Sequence, residues 1–294
     1  MLDEASSAVE RTSGLTTSPR AELLLVDRHA WIGGNTRTLQ TLFGELELSS
    51  LQSTIVAWEG GAFVGLLARA VLAQYDPFRD QLLVVYPNLG DFANVDGLRW
   101  LLLHEVTHVA QFRAAPWVAD RIVATGREML ALQRSGWTKD AAKRFRDAIP
   151  DIVKWLKDVL EGKSTPSPLF DLLPDEQREA VRNINAIVTL LEGHATHITE
   201  LAAKDVLDDY DTMLRRVNER KRRPPIVRLL EAIGGIEMKR QQYVIGHEFC
   251  KKIWEAGGAD ALAPAWRGPE WAPTTEELAA PETWLARVAA SSRA

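Results

Sequence analysis

Three observations predict a mainly α fold with a small strand element preceding one long apolar helix. Apolar residues recur near a 3.6-residue period along most of the chain, one short β-branched run stands at Gln81 to Tyr86, and a continuous apolar helix pattern follows it. The 294 residues, 46% hydrophobic and 26% charged, have the composition of a globular domain, and the length suffices for a core that brings distant positions together. Residues 1–20, rich in Ser and Thr and without clear periodicity, are expected to be a flexible N-terminal tail, leaving residues 21–294 as a single domain.

The elements follow in order. From Ala21 to about Leu46 the spacing of Leu24, Trp31, Ile32, Leu39, Leu42 and Phe43 predicts one or two helices, weakened at Gly33 and Gly34. Gly61 to Tyr75 reads as a compact apolar helix stopped by Asp76-Pro77, and Gln81 to Tyr86 as a strand closed by Pro87-Asn88. Asp96 can cap a helix running through Trp100 to about Phe112, and Pro116 restarts another to about Ser135. Lys139 to Glu161 is a charged amphipathic helix interrupted near Pro150, followed by a Ser/Pro loop from Gly162 to Pro174. A long helix is expected from Asp175 to about Val206. After it come a basic helix ending at Pro224-Pro225, a short helix, and two more near Glu237 to Ala256 and Glu276 to Ala290.

Charge and cysteine content exclude several classes. A net charge of −5, from 35 basic and 40 acidic residues, gives no cationic field to draw in nucleic acid or an anionic membrane. The lone Cys250 rules out an internal disulfide and a thiolate metal cage, and is expected to be a buried small hydrophobe in a reducing compartment. The polar start carries no export signal, and every long apolar stretch is broken by charge, so a soluble cytoplasmic protein is expected. Ten tryptophans scattered without a period are packing anchors, able to serve a homo-oligomer interface as readily as a core.

The chemistry concentrates in LLLHEVTHVAQF. His104 and His108 stand four apart, on one helical face, so both imidazoles can reach one metal ion. Glu105 lies about 100° round the helix from His104, where its carboxylate can serve as a general base without ligating. The helix is apolar almost all round, so it should be buried, and two imidazoles and a carboxylate buried without partners are costly; a metal removes that cost. A catalytic zinc site of this type takes a third protein ligand. LLEGHATHI offers Glu192, or the shared face of His194 and His197, about 200° away from it. Gly193 would let another helix approach closely, which favours the Glu192 face as the one against the zinc helix.

Several segments together carry a family resemblance. LAQYDPF, LLVVYPN, RWLLLHEVTHVAQF with Pro116-Trp117, LLEGHA, Arg215-Arg216 and the K-x-x-Q-Y-x-x-G-x-x-F pattern at Lys239 to Phe249 occur in one order. In that order, over roughly residues 25–288, the chain resembles the zincin-like metallopeptidase family, hydrolases assigned by motif, some labelled as associated with coenzyme F420 biosynthesis. The resemblance implies a multi-helical zincin-like metallopeptidase fold with Zn2+ on His104 and His108 and Glu105 as base. It is also similar to gluzincins, whose third ligand is the Glu of an EG-x-A helix, which implies Glu192. The wide separation of His108 from Glu192 departs from aminopeptidase-type gluzincins.

A peptidase also needs a donor to the developing oxyanion. Tyr243, His247 and Arg216 are candidates for that role, and Tyr243 is carried forward as catalytic alongside Glu105. His194 is either such a donor or a group that orients a ligand. The run Arg215 to Arg223 is a solvated face or an anion clamp. The expected activity is hydrolysis of a peptide or amide bond. The alternative is a catalytically silent zinc-stabilised binding or regulatory protein with an occluded site. A nucleic-acid partner through the arginine run is disfavoured by the overall charge.

Overall fold

The computed structural model describes residues 1–43, 65, 68–134, 147, 150, 151, 154, 175–220 and 236–292. Helices dominate: α1 (Leu2–Ser13), α2 (Arg28–Phe43), α3 (Val95–Ala114), α4 (Trp117–Arg134), α5 (Asp175–Val206), α6 (Tyr210–Arg220), α7 (Ile236–Leu262), α8 (Thr275–Ala279) and α9 (Pro281–Ser291). Strands β1 (Glu22–Val26), β2 (Ala73–Asp76) and β3 (Gln81–Val85) form a sheet in the order β1-β3-β2, with β1 parallel and β2 antiparallel to the central β3. The mainly α class and the strand element ahead of α3 are therefore as the sequence predicts. Most of the expected helix over Lys139 to Glu161, the loop to Pro174 and the short helix after Pro225 lie outside the described residues.

The N-terminus corrects the expected tail. Residues 2–13 form α1, whose Ala5, Ala8 and Val9 are buried in the core shared with α3, and Gly14 ends it in the left-handed conformation at φ 71°. Acidic Asp3 and Glu4 occupy the first turn and Arg11 the last, both favourable to the helix dipole. The buried Ala5, Ala8 and Val9 follow helical spacing, so an amphipathic period is present in this segment. Arg20 and Asp3, and Arg99 and Glu4, tie the segment down further.

Two strands replace expected helix. Glu22 to Val26 pairs with β3 in the register Glu22↔Gln81 through Val26↔Val85, and α2 starts only after Asp27, whose Oδ1 accepts from the Ala30 N–H at 2.7 Å. A five-residue apolar run is ambiguous by periodicity, and here the backbone partners on β3 decide. Residues 68–70 are helical, but Ala73 to Asp76 is strand, paired with β3 from Ala73↔Val84 to Asp76↔Gln81. Asp76 builds the connecting turn: Oδ1 accepts from the N–H groups of Phe78 and Arg79.

Asn94, not Asp96, caps α3, accepting from the Gly97 N–H at 3.0 Å. Asp96 instead accepts from the N–H groups of Asp208 and Asp209, fixing the entry to α6. The last expected helix is two, because Pro281 has no N–H to continue α8 and begins α9.

Helix α5 spans two cores. Ile198, Ala202, Ala203 and Val206 pack with α1, α3 and the sheet, while Ala186, Ile187, Leu190 and Leu191 pack with α7 and the C-terminal helices. The crossing of α5 and α7 is backbone on backbone. A Cβ at Gly193 would overlap Gly246, and one at Gly246 would overlap the carbonyl of Thr189. Gly193 thus admits α7, while Glu192 faces α3. The close approach it permits is to a different helix from the one the sequence suggests.

Candidate metal centre

Helix α3 passes between the sheet and α5, so neighbouring residues on it face different partners. His104 and His108, one turn apart, turn toward α5, with ring centroids 4.9 Å apart and ring planes at 89°. Glu192 comes from α5 to meet them, its Oε2 3.4 Å from His104 Nε2 and 3.7 Å from His108 Nε2. These ligand-type atoms all lie within 4.8 Å of one another, the arrangement that could hold a metal ion. Tetrahedral zinc with bonds of about 2.0–2.1 Å separates its ligand atoms by roughly 3.4 Å, which matches both contacts. Oε2 of Glu192 is buried and makes no hydrogen bond, an expensive position for a carboxylate oxygen unless a cation meets it. The three side chains keep 20, 14 and 18% of their surface exposed.

The electrostatics reflect this convergence. Burial alone would raise the Glu192 carboxyl, but the two imidazoles hold it well below the usual range. Burial would lower His108, yet Glu192, followed by Glu105, overrides it and lifts the imidazole to about 9.

Glu105, next to His104 on α3, reaches toward β2, where its Oε2 accepts from the Tyr75 N–H at 2.7 Å. Tyr75 is itself anchored: its hydroxyl donates to Asp80 Oδ1 at 3.0 Å, and Asp80 takes two contacts from Arg113 at 2.6 and 2.7 Å. Arg113 is on α3, so the β2–β3 turn and the helix carrying Glu105 are clamped together. Burial and then Asp80 push the Tyr75 phenol upward, keeping it neutral.

A buried layer lies behind the histidines. Gln111, fully buried on α3, is 2.8 Å from His108 Nδ1 through Oε1, and its Nε2 lies 2.8 Å from Leu191 O and 2.9 Å from His194 Nδ1. His194 is buried against Trp266, ring centroids 4.8 Å apart, and burial holds it at about 3, so it is neutral.

The chain belongs to the zincin-like metallopeptidase family. The family profile described by that name matches residues 1–285, which takes in α1 as well as the site. A crystal structure from Chloroflexus aurantiacus, described as a hydrolase candidate with a novel fold, superposes at a TM-score of 0.67 with 21% identity. That match covers 98% of this chain and 87% of the other. The likeness extends the shared fold over nearly the whole molecule. No curated protein matches the sequence.

Against the zincin frame, the sequence candidates divide clearly. His104, His108 and Glu192 come together, with Glu105 on the adjoining face of α3. His194 and His197 do not join them: His194 stands behind the cluster on Gln111, and His197 packs against Trp254 and His247. His247 pairs with Glu200 at 2.9 Å. Arg216 lines a surface cleft with Asn94, Asp96, Asp209, Thr212 and Met213, outside the metal cluster. Tyr243 stands on α7, three residues before the Gly246 crossing, and its side chain lies outside the described residues, as do Lys221, Arg222 and Arg223. Cys250 is buried in the α7 core, as expected. Sequence reasoning passed over Gln111 and the Tyr75 N–H. The signal for Gln111 was present: an amide one turn beyond His108 in a helix otherwise apolar there needs buried partners. Nothing local pointed to Tyr75, because its role depends on β2 being a strand.

Proposed function

We propose that this protein is a zinc-dependent hydrolase acting on a peptide or amide bond. The convergence of His104, His108 and Glu192 beside the buried Glu105 carries the reading. A zinc ion held by those three side chains would polarise the substrate carbonyl and acidify the attacking water. Glu105, oriented by the Tyr75 N–H on one oxygen, receives the proton from water on the other as the carbon–oxygen bond forms. It then gives that proton to the departing nitrogen as the carbon–nitrogen bond breaks. Tyr243 is our candidate donor to the carbonyl oxygen. Three protein ligands with partly exposed side chains favour a catalytic centre over a four-ligand structural one.

Metal analysis of protein purified without added metal, together with a peptide-library cleavage assay, tests this. Wild type should carry close to one zinc per chain and Glu192→Ala should lose it. Glu105→Gln should keep the metal and lose turnover by a factor of at least about 100. Tyr243→Phe should keep the metal and cleave more slowly. Full activity in Glu105→Gln would rule out the assigned base, and a wild type that takes up no zinc would rule out the metal site.

A further inference from the structure

Building on the metal-site reading, we infer that Gln111 is the positioning residue that selects the metal-binding tautomer of His108 and links the two ligand-bearing helices. Leu191 O is a backbone carbonyl and can only accept, so the Gln111 atom 2.8 Å from it must be the amide nitrogen. The other end of the amide, Oε1, then faces His108 Nδ1 at 2.8 Å, and since a carbonyl oxygen only accepts, Nδ1 carries a proton. In the neutral ring, that leaves the lone pair on Nε2, the nitrogen that faces Glu192. The second amide proton goes to His194 Nδ1 at 2.9 Å, which must accept, so His194 carries its own proton on Nε2.

One fully buried side chain thereby satisfies three polar groups. His108 and Gln111 are on α3, and Leu191 and His194 bracket Glu192 on α5. The amide therefore fixes the imidazole and spans the gap across which Glu192 meets the histidines. Gln111, fully enclosed, touches no reacting atom; it acts through His108.

The test compares wild type, Gln111→Glu and Gln111→Leu by zinc titration against a competing chelator, with nitrogen-15 imidazole spectra of the zinc-loaded proteins. Both variants lose the donors to Leu191 and His194, but only Gln111→Glu keeps an acceptor for His108 Nδ1–H. Zinc affinity should fall about 10- to 100-fold in Gln111→Leu and return to within a few-fold of wild type in Gln111→Glu. The wild-type spectrum should show His108 protonated at Nδ1 and metal-bound through Nε2. Equal affinity losses in both variants, no loss in Gln111→Leu, or metal on Nδ1 in wild type would overturn the inference while leaving the metal site standing. The wild-type spectrum decides it even where a variant fails to fold. A wild type that binds no zinc would take down this inference and the metal-site reading together.

Discussion

Gly246→Ala sets two effects of opposite sign against each other. Alanine is favoured over glycine within a helix by about 0.8–1 kcal/mol, so propensity alone predicts stabilisation. The structure predicts the reverse, because the new Cβ would fall on the Thr189 carbonyl and close to the Gly193 Cα. Neither is the end of a side chain that can rotate away, so α5 and α7 must separate along the interface that holds Leu190, Phe249 and Ile253. Overpacking of this kind costs about 1–3 kcal/mol and here belongs at the upper end. The net is a loss of about 2 kcal/mol, or a fall in Tm of roughly 4 °C for a chain of this size. Because the displaced α5 carries Glu192, zinc affinity should fall as well. Urea and thermal unfolding of metal-free protein, with zinc titration beside them, measure both. A Tm at or above wild type would show that the helices are not in backbone contact, and the account of how Glu192 is positioned would fall.

Three further outcomes are expected. Deleting residues 1–14 should lower Tm substantially in metal-free protein, since it removes buried Ala5, Ala8 and Val9; an unchanged melting curve would restore the idea of a passive tail. Asn94→Ala should cost about 1 kcal/mol in urea unfolding by removing the α3 cap, whereas a neutral result would mean that water replaces the cap. His197 is held at about 4, first by burial and next by His247, with Glu200 opposing and Lys251 and Lys204 adding to the depression. The unfolded chain therefore takes up a proton near pH 6.5 that the fold excludes. This share of stability is intact above pH 6.5 and is lost as pH falls through about 4, by no more than about 1.4 kcal/mol per unit. Thermal melts from pH 7 to 4 should be less pH-sensitive in His197→Gln than in wild type, and identical profiles would refute the assignment.

What was legible in the sequence was what depends on local spacing. His104 and His108 had to share a face because they are four apart on a helix, and Asp175 to Val206 reads as one helix because its apolar period is unbroken. Strands β1 and β2 were misread because four- and five-residue runs have no period long enough to tell strand from helix, and their partner β3 lies far along the chain from β1 and across a turn from β2. Glu192 fell between these cases. Its helix was legible, but which face meets α3 depends on where α7 crosses, and glycine at 193 says only that something comes close.

The two glutamates show why residue type alone could not assign the roles. Both are carboxylates on buried helices within one site, and what separates them is the group each one faces. Glu192 faces two imidazole nitrogens and has an oxygen with no hydrogen-bond donor, so its need is for a cation. Glu105 faces a backbone N–H on β2, which occupies one oxygen and holds the group beside the cluster, as the proposed base requires. The sheet is small, but it supplies that N–H, and Arg113 and Asp80 fasten its turn to the same helix. Asp80→Ala should therefore slow turnover through Glu105 while leaving zinc content at wild-type level, because the clamp touches the base's strand and none of the ligands. Loss of zinc together with turnover in that variant would mean that the sheet supports the whole of α3 and not the placement of Glu105.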